Sequence, residues 1–337
     1  MTIKDIAQIC GCAVTTVSRV INNHPDVSEK TRQRILSVIE EYNFVPNSNA
    51  KNLKQQESDN ILVIVCGTHN MLFSSMVELI QLEIQNRMAF SVVQYLSEDE
   101  NEAAAGYNLA KEIKPKGIIF LGGNTEKFTE EYLNFEVPCV FITTDTSDLR
   151  YPNIMSVSTN DMEGGKAAIE YLLSMGHKKI GIISGDIRTS HAALLRYAGC
   201  KQAFAEAGLT FSDKNIACCK FNYEPAYTAT NKLLDQYPEL TAIYAMSDVM
   251  AVGTISAITD RGLRVPEDIS VMGYDGIELA SFYNPKITTL RQPQEDMAKA
   301  AVKELMKAIS YGVKPYNALF DTQLVEGNSV IRYEERL

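Results

Sequence analysis

Long apolar runs are missing from this sequence: none reaches the ~18 residues that a membrane-spanning helix needs. The first residues, Met1-Thr2-Ile3-Lys4-Asp5, open straight into an amphipathic helix and show no secretory apolar region. A cytoplasmic protein without membrane contact is expected. Histidine is scarce, with only His24, His69, His177 and His191, and no Ser-His-Asp arrangement is evident. There is no Walker-type phosphate loop, no HExxH, no GxSxG and no GxGxxG after the first predicted strand. Catalysis therefore lacks its usual signatures. The seven cysteines (Cys10, Cys12, Cys66, Cys139, Cys200, Cys218 and Cys219) are odd in number and form no CxxC. In a reducing compartment they read as small buried hydrophobes, and neither a metal nor a cofactor is expected.

What is present is a chain of 337 residues, 45% hydrophobic and 22% charged. That is too long for one ordinary core and enough for a small module plus a larger two-lobed body. The net charge of −10 is unevenly spread. Residues 1–54 carry seven basic side chains (Lys4, Arg19, Lys30, Arg32, Arg34, Lys51 and Lys54) against five acidic ones, leaving 25 basic and 37 acidic for the rest. A mildly basic head on an acidic body suits a nucleic-acid module joined to a metabolite-binding core, although its excess of two charges is a modest signal.

Within the head, Thr2 is placed to cap a first helix with Ile3, Ile6, Ala7 and Cys10 at helical spacing. Gly11 ends it, because glycine takes the positive φ that a tight inter-helix turn requires. A second helix is predicted from about Ala13 to Ile21, with Val17, Val20 and Ile21 inward and Val14, Thr15, Thr16, Ser18 and Arg19 outward. Ser28 is expected to cap a third, from Glu29 to about Tyr42, with a stripe of Ile35, Val38, Ile39 and Tyr42. Three short helices with a tight first turn make a helix-turn-helix, whose second helix enters the major groove. The same spacing would suit any small three-helix bundle. Pro46 then stops the third helix, Asn47 can cap a short new one, and Leu53 is the one large apolar residue on its far side. Residues 54–59 read as a polar linker.

From residue 60 short apolar runs alternate with helical stretches. Strands are predicted at 60–66, 90–96, 117–121, 138–143, 154–158, 179–184, 216–221, 242–246, 269–273 and 287–290. Helices are predicted between them, for example at 75–88, 101–113, 162–175, 191–207, 224–236, 249–261 and 293–310. Continuous apolar strands separated by helices imply parallel sheets buried on both faces, here two doubly wound lobes of an α/β fold. Ligands in such folds bind at the carboxyl ends of strands. Those ends hold Asp145, Ser247-Asp248, Asp275 and Phe221, and Arg196 lies on the helix after strand 179–184. Carboxylate, guanidinium and aromatic face together suit a polyhydroxylated ring. None of these residues forms a nucleophile–base pair. Gly122-Gly123-Asn124 ends a strand and can cradle a ligand; His191 is read as a solvated or core histidine rather than a cleft residue.

The particular words of the sequence narrow these readings. Thr2-Ile3-Lys4-Asp5-Ile6-Ala7, Thr16-Val17-Ser18-Arg19-Val20-Ile21-Asn22 and Val27-Ser28-Glu29-Lys30-Thr31-Arg32 resemble the LacI family headpiece. Farther on, Gly176-His177-Lys178-Lys179-Ile180, Arg196-Tyr197-Ala198-Gly199, Ser247-Asp248-Val249-Met250-Ala251, Val265-Pro266-Glu267-Asp268-Ile269 and Gly273-Tyr274-Asp275 resemble its effector domain, which is related to periplasmic sugar-binding proteins. The resemblance covers essentially the whole chain. It implies a helix-turn-helix headpiece at 1–46, a hinge helix and linker at 47–59, and a two-lobed periplasmic-binding-protein-like body at 60–337. Lobe 1 would comprise about 60–158 and 292–322, and lobe 2 about 160–289 and 324–337, with crossings near Ser158–Asn160, Leu290–Gln292 and Thr322–Leu324.

The same resemblance implies DNA contacts at Thr2, Val14, Thr15, Thr16, Ser18, Arg19, Asn22, His24, Thr31, Asn47, Ala50 and Leu53. Leu53 would wedge into a minor-groove base step; the alternative is a leucine that anchors the linker to the body. Effector contacts carry over to Phe73, Asp145, Arg196, Phe221, Ser247, Asp248 and Asp275. Three residues depart from the family pattern: Ala13 stands where many relatives have a phosphate-contacting serine, Ser247 where asparagine is usual, and Ala226 where glycine is common. The implied function is a non-enzymatic transcriptional regulator, a repressor, whose affinity for a pseudo-palindromic double-stranded DNA operator is set by a small polar ligand, a sugar. A homodimer is implied, since the chain ends without a leucine heptad, and a protein co-repressor is a further partner that the family allows. A sugar-transport protein would not carry the headpiece, and an α/β enzyme would need motifs that are not here.

Overall fold

The computed structural model describes residues 3–21, 24, 26–42, 60–67, 70–129, 132, 137–149 and 151–334. The chain divides into two compact units, Met1–Ser58 and Asp59–Leu337. In the smaller unit α1 (Ile3–Ile9), α2 (Val14–Ile21) and α3 (Glu29–Glu41) close over Ile6, Ala7, Cys10, Val17, Val20 and Ile35. Gly11 turns the chain between α1 and α2 at φ +56. The observed packing differs from the sequence expectation at two points. The Ser28 side chain caps no backbone N–H; its hydroxyl meets that of Thr31 at 2.9 Å. Tyr42, expected in the buried stripe, follows the end of α3 and is exposed. The proposed hinge segment 47–59 lies outside the described residues.

The larger unit holds two six-stranded sheets. The first contains β1 (Asn60–Cys66), β2 (Phe90–Leu96), β3 (Gly117–Leu121), β4 (Cys139–Ile142), β5 (Ile154–Thr159) and β11 (Asn317–Phe320), in the order β11-β5-β4-β3-β1-β2 and all parallel. The second contains β6 (Ile180–Ser184), β7 (Ile216–Cys218), β8 (Ala242–Ala245), β9 (Ser270–Asp275), β10 (Thr288–Arg291) and β12 (Gln323–Val325), in the order β12-β10-β9-β8-β6-β7. Only β12 runs antiparallel, against β10. The central strands are buried along their whole length, Ile61 to Val65 in β1 for example, because helices cover both faces.

These helices are α4 (Met71–Gln85), α5 (Glu102–Ile113), α6 (Asp161–Ser174), α7 (His191–Glu206), α8 (Tyr223–Gln236), α9 (Asp248–Asp260), α10 (Glu278–Phe282) and α11 (Gln294–Tyr311). Asn70 begins α4 earlier than the apolar spacing predicts, its side chain accepting from the Leu72 N–H at 3.1 Å. The chain passes from the first sheet to the second between β5 and α6, returns between β10 and α11, and passes again between β11 and β12. Helices α6 and α7 lie unusually close. A Cβ on Gly165 would collide with the Arg196 carbonyl, and one on Gly199 with that of Met162. The two glycines thus set where the first turns of α7 lie, and with them Arg196.

Candidate functional site

Between the carboxyl ends of the two sheets lies a cavity of about 490 Å³. Each wall comes from strand ends, as the doubly wound topology dictates. The first lobe supplies Cys66 ending β1, Gly122 to Asn124 after β3, Thr143 and Thr144 after β4, and Phe73 of α4. Gly122 stands at φ +77 with a virtual Cβ only 2.8 Å from the Phe73 ring, so a side chain there would push the ring away. The second lobe supplies Asp186, Arg188, Thr189 and Ser190 after β6, Cys218 at the end of β7 with Cys219 to Phe221 after it, Asp275 ending β9, and Arg196.

Arg196 is buried, and a set of groups holds its guanidinium. Nε donates to Asp161 Oδ1 at 2.8 Å, Nη1 donates to the Met246 carbonyl at 2.6 Å, and the group stacks on the Tyr274 ring at 3.7 Å. Burial works against its charge, but Asp161, Tyr274 and Asp275 outweigh it and keep the proton firmly on. Asp275 lies 4.0 Å from Nη1 and accepts from Gln292 Nε2 at 2.7 Å. It adopts φ +104, a left-handed conformation that L residues enter only under strain and that concentrates at functional sites. Burial pushes its carboxyl up to about 7, against the opposing pull of Arg196 and Gln292.

The cluster reaches the lobe crossings. Gln292 sits on the return between β10 and α11, and its Oε1 accepts from the hydroxyl of Thr159, on the first crossing, at 3.4 Å. Through Gln292, Asp275 is therefore hydrogen-bonded to two of the segments that cross between the lobes. Two further contacts join the lobes away from the hinge, Lys220 with Asp99 at 2.5 Å and the Tyr223 hydroxyl with Met71 Sδ at 2.9 Å. Val249 and Ile277, which flank β8 and β9 of the second sheet, are buried in the apolar core under the first.

Of the seven residues predicted to contact a ligand, Phe73, Arg196, Phe221 and Asp275 line this cavity, and Asp145, Ser247 and Asp248 do not. Asp145 is turned into its own loop, accepting from the Ser147 N–H and hydroxyl at 3.0 Å each. Ser247 caps α9, accepting from the Met250 N–H at 3.1 Å. Asp248 is fully buried and accepts from the Ile277 N–H at 2.9 Å, which fastens the turn after Asp275. Burial, with Asp275 beside it, pushes the Asp248 carboxyl well up and favours its neutral form. Phe221 follows β7 rather than ending it, since β7 stops at Cys218.

Several cavity residues escaped the sequence reading, among them Glu102, Lys127, Asp186, Arg188 and the thiols of Cys66, Cys218 and Cys219. Cys218 is exposed, unlike a core cysteine. Burial pushes the Cys66 and Cys219 thiols up, the latter to about 12, so they stand as neutral groups rather than nucleophiles. Asp186 and Arg188 follow strand β6 and were open to the same strand-end rule that picked Asp275. The wall thus combines a guanidinium, several carboxylates, hydroxyls, thiols and two aromatic rings.

In the smaller unit Val14, Thr15 and Arg19 are exposed on one face of α2, with Thr16 and Ser18 half-buried beside them. His24 is exposed and its Nδ1 lies 3.3 Å from Asp26. Thr31 is half-buried, its hydroxyl engaged with Ser28. Thr2, Asn22, Asn47, Ala50 and Leu53 lie outside the described residues. Among the described residues no helix is long and apolar enough to cross a membrane.

Comparison with known proteins identifies the family. The family profile described as "Bacterial regulatory proteins, lacI family" matches residues 2–47, and the "Periplasmic binding protein-like domain" matches 169–330. The HTH-type transcriptional regulator MalR of Clostridium butyricum is 36% identical over 98% of this chain and 99% of its own. The ribose operon repressor of Haemophilus influenzae is 30% identical over 98% and 97%. A lac repressor dimer bound to operator and the anti-inducer ONPF superposes with a TM-score of 0.77 at 27% identity, over 98% of this chain and 99% of that one. The likeness runs over nearly the whole length of these proteins, helix-turn-helix and two-lobed body together, and the chain belongs to the LacI family of DNA-binding transcriptional regulators.

Proposed function

We propose that this chain represses transcription from a pseudo-palindromic operator and that a sugar in the cleft between its lobes sets the operator affinity. The observation that carries this reading is the buried Arg196–Asp275 pair at the cavity wall, with Phe73 and Phe221 lining the same cavity. A guanidinium donates a fork of hydrogen bonds, a carboxylate accepts pairs of them, and an aromatic face covers the C–H patches of a ring. Ligand that binds one lobe arrangement better than the other shifts the equilibrium between them, by no more than that difference in affinity. The names of the relatives, a ribose operon repressor and a lac repressor, favour a carbohydrate. On this reading the protein turns nothing over and acts where the DNA is.

The DNA contacts are assigned to Val14, Thr15, Thr16, Ser18 and Arg19 on α2, with Thr2, Asn22, His24 and Thr31 around them and Asn47, Ala50 and Leu53 on the hinge. A second copy of the chain completes the operator-binding unit. Support for the homodimer comes from β2, the edge strand of the first sheet, where Phe90 and Tyr95 are exposed, as are Met88 just before it and Leu82 of α4. An apolar, unpaired edge of this kind calls for a partner.

The direct test is a thermal-shift screen of the full chain against monosaccharides, disaccharides, sugar phosphates, nucleosides and purines. A ligand at ~100 times its dissociation constant stabilises the native state by about 2.7 kcal/mol. A hit among free sugars that also changes operator affinity is expected. Silence from every carbohydrate, with a well-folded protein, removes the sugar assignment.

Asp275 adds a pH dependence. Sugar hydroxyls donate to the ionised carboxylate, so with the free carboxyl at about 7 binding at lower pH must release a proton. Sugar affinity is expected to rise about tenfold from pH 6 to pH 8 and then level off. The stability of the empty body should move oppositely, falling as pH rises from about 4 to 7, since the folded state keeps a proton that the unfolded chain gives up. Titration calorimetry checks the first and thermal unfolding of the empty protein the second, each at several pH values, and affinity independent of pH over this range would take Asp275 out of the ligand's reach.

A further inference from the structure

We propose that the cleft takes an uncharged ligand of two sugar rings, one held by Arg196 and Asp275 and the other by a second polar subsite on the first lobe formed by Glu102, Lys127 and Asn124. This deepens the effector reading above and rests on it.

Three observations support the second subsite. Glu102 lies in the first turn of α5, is only 1% exposed, and yet forms part of the cavity wall. Its Oε1 accepts from the Asn124 N–H and its Oε2 from Lys127 Nζ at 2.9 Å. A carboxylate has about four acceptor sites, so it can still receive ligand hydroxyls. Lys127 also donates to the Glu100 carbonyl at 2.8 Å, which with Glu102 engages two of its three N–H groups among the described residues. Gly123 lies directly in front of this pair. Its φ is +118 and a Cβ there would stand 3.0 Å from Glu102 Oε1, so a side chain at this position would crowd the carboxylate.

The second observation is size. At ~30 Å³ per liquid water the 490 Å³ cavity has room for about 16 waters. Bonded atoms pack more tightly than separate waters, so a single hexose, with about a dozen heavy atoms, would leave much of that space unfilled, against the tight enclosure usual for bound ligands. The two polar clusters sit on different lobes, and each lobe brings its own aromatic ring, Phe73 from the first and Phe221 from the second. One ring per cluster uses both.

The third is charge. Each cation on the wall already has a carboxylate partner: Lys127 with Glu102, Arg188 with Asp186, Lys220 with Asp99 and Arg196 with Asp161. Glu98 and Asp275 add further acidity to the same wall. A phosphate group would share these cations with their carboxylates and face the remaining acidic side chains, whereas hydroxyls meet such a lining without conflict.

The experiment measures affinities of the full-length protein by titration calorimetry for maltose, cellobiose, sucrose, lactose and trehalose, for glucose, galactose and ribose, and for glucose 6-phosphate and trehalose 6-phosphate. The same series is run on Glu102→Gln, on Lys127→Met and on Arg196→Lys, with thermal unfolding of each empty variant as the folding control. At least one disaccharide is expected to bind about tenfold or more tighter than any monosaccharide. Glu102→Gln and Lys127→Met should each weaken that disaccharide about tenfold, as lost charge-assisted hydrogen bonds do, with little effect on monosaccharides; Arg196→Lys should weaken both. Monosaccharides that bind as tightly as disaccharides, or disaccharide affinity unmoved in both first-lobe variants, would overturn the second subsite and leave the Arg196–Asp275 site standing. A phosphorylated sugar as the tightest ligand would overturn the uncharged assignment. No binding by any sugar would overturn the effector reading and this inference together.

Discussion

Replacing Arg196 with alanine is expected to abolish the effector response and to destabilise the body by about 3–5 kcal/mol, the usual cost of breaking a buried ion pair from one side. The reason lies in what the guanidinium leaves behind. Asp161 and Asp275 are both buried, and their only cation within 4.0 Å among the described residues is Arg196. The Met246 carbonyl loses its donor and the Tyr274 ring loses the cation stacked on it. Sugar affinity should fall more than about 100-fold, since a ligand would lose the guanidinium and meet an Asp275 carboxyl that favours its proton still more. Operator binding by the effector-free protein should survive, because the headpiece forms a separate compact unit with its own core. Arg196→Lys separates charge from geometry. It keeps the cation but not the planar fork that reaches Asp161 and Met246 together, so stability should recover more than affinity does. Thermal unfolding, calorimetry and gel-shift assays with and without sugar read the three quantities. An effector response preserved in Arg196→Ala would remove this residue from the site.

Leu53→Ala is expected to weaken operator binding about 10- to 100-fold while leaving non-specific DNA binding nearly unchanged. Residue 53 lies in the segment assigned as the hinge, and the proposal is that its side chain is buried between base steps when the hinge helix forms on DNA. Burying a leucine side chain is worth about 1.5–3 kcal/mol, and a kinked step allows added contacts that offset the unstacking. Non-specific affinity comes from phosphate neutralisation, in which an uncharged leucine takes no part. The dependence of operator affinity on salt should therefore keep its slope while its intercept drops. Equal losses on operator and random DNA would identify Leu53 as an anchor between linker and body instead.

How far the sequence is readable depends on whether a signal is local. The central strands are legible because burial on both faces forces an unbroken apolar run, as in Ile61 to Val65 or Ile180 to Ser184. The edge strands β11 and β12 are not, since Asn317–Phe320 and Gln323–Val325 are partly exposed and carry no such run. Their pairing is a tertiary fact. Strand β7 shows the reverse error. Its apolar pattern continues past Cys218, but its one partner β6 ends at Ser184, so there is no ladder for the chain to follow.

The same division runs through the site. Sequence by itself determined the class of fold and the strand ends at which a ligand would sit, because hydrophobic period acts over a few residues; the helix-turn-helix rested on the family resemblance of its words, since its spacing suits any three-helix bundle. It also picked out Arg196 and Asp275. Only the tertiary structure decided which strand-end side chains point into the cleft. Asp145 satisfies its own loop, Ser247 caps a helix and Asp248 fastens the turn behind Asp275, although all three stand at the predicted level. Only the tertiary structure, likewise, brought Glu102 of a helix start and Lys127 of a short turn, 25 residues apart, into one ion pair on the opposite wall. The position of a residue along a strand is set by local geometry, but the direction its side chain faces is settled by whichever hydrogen-bond partner the packed lobes offer first.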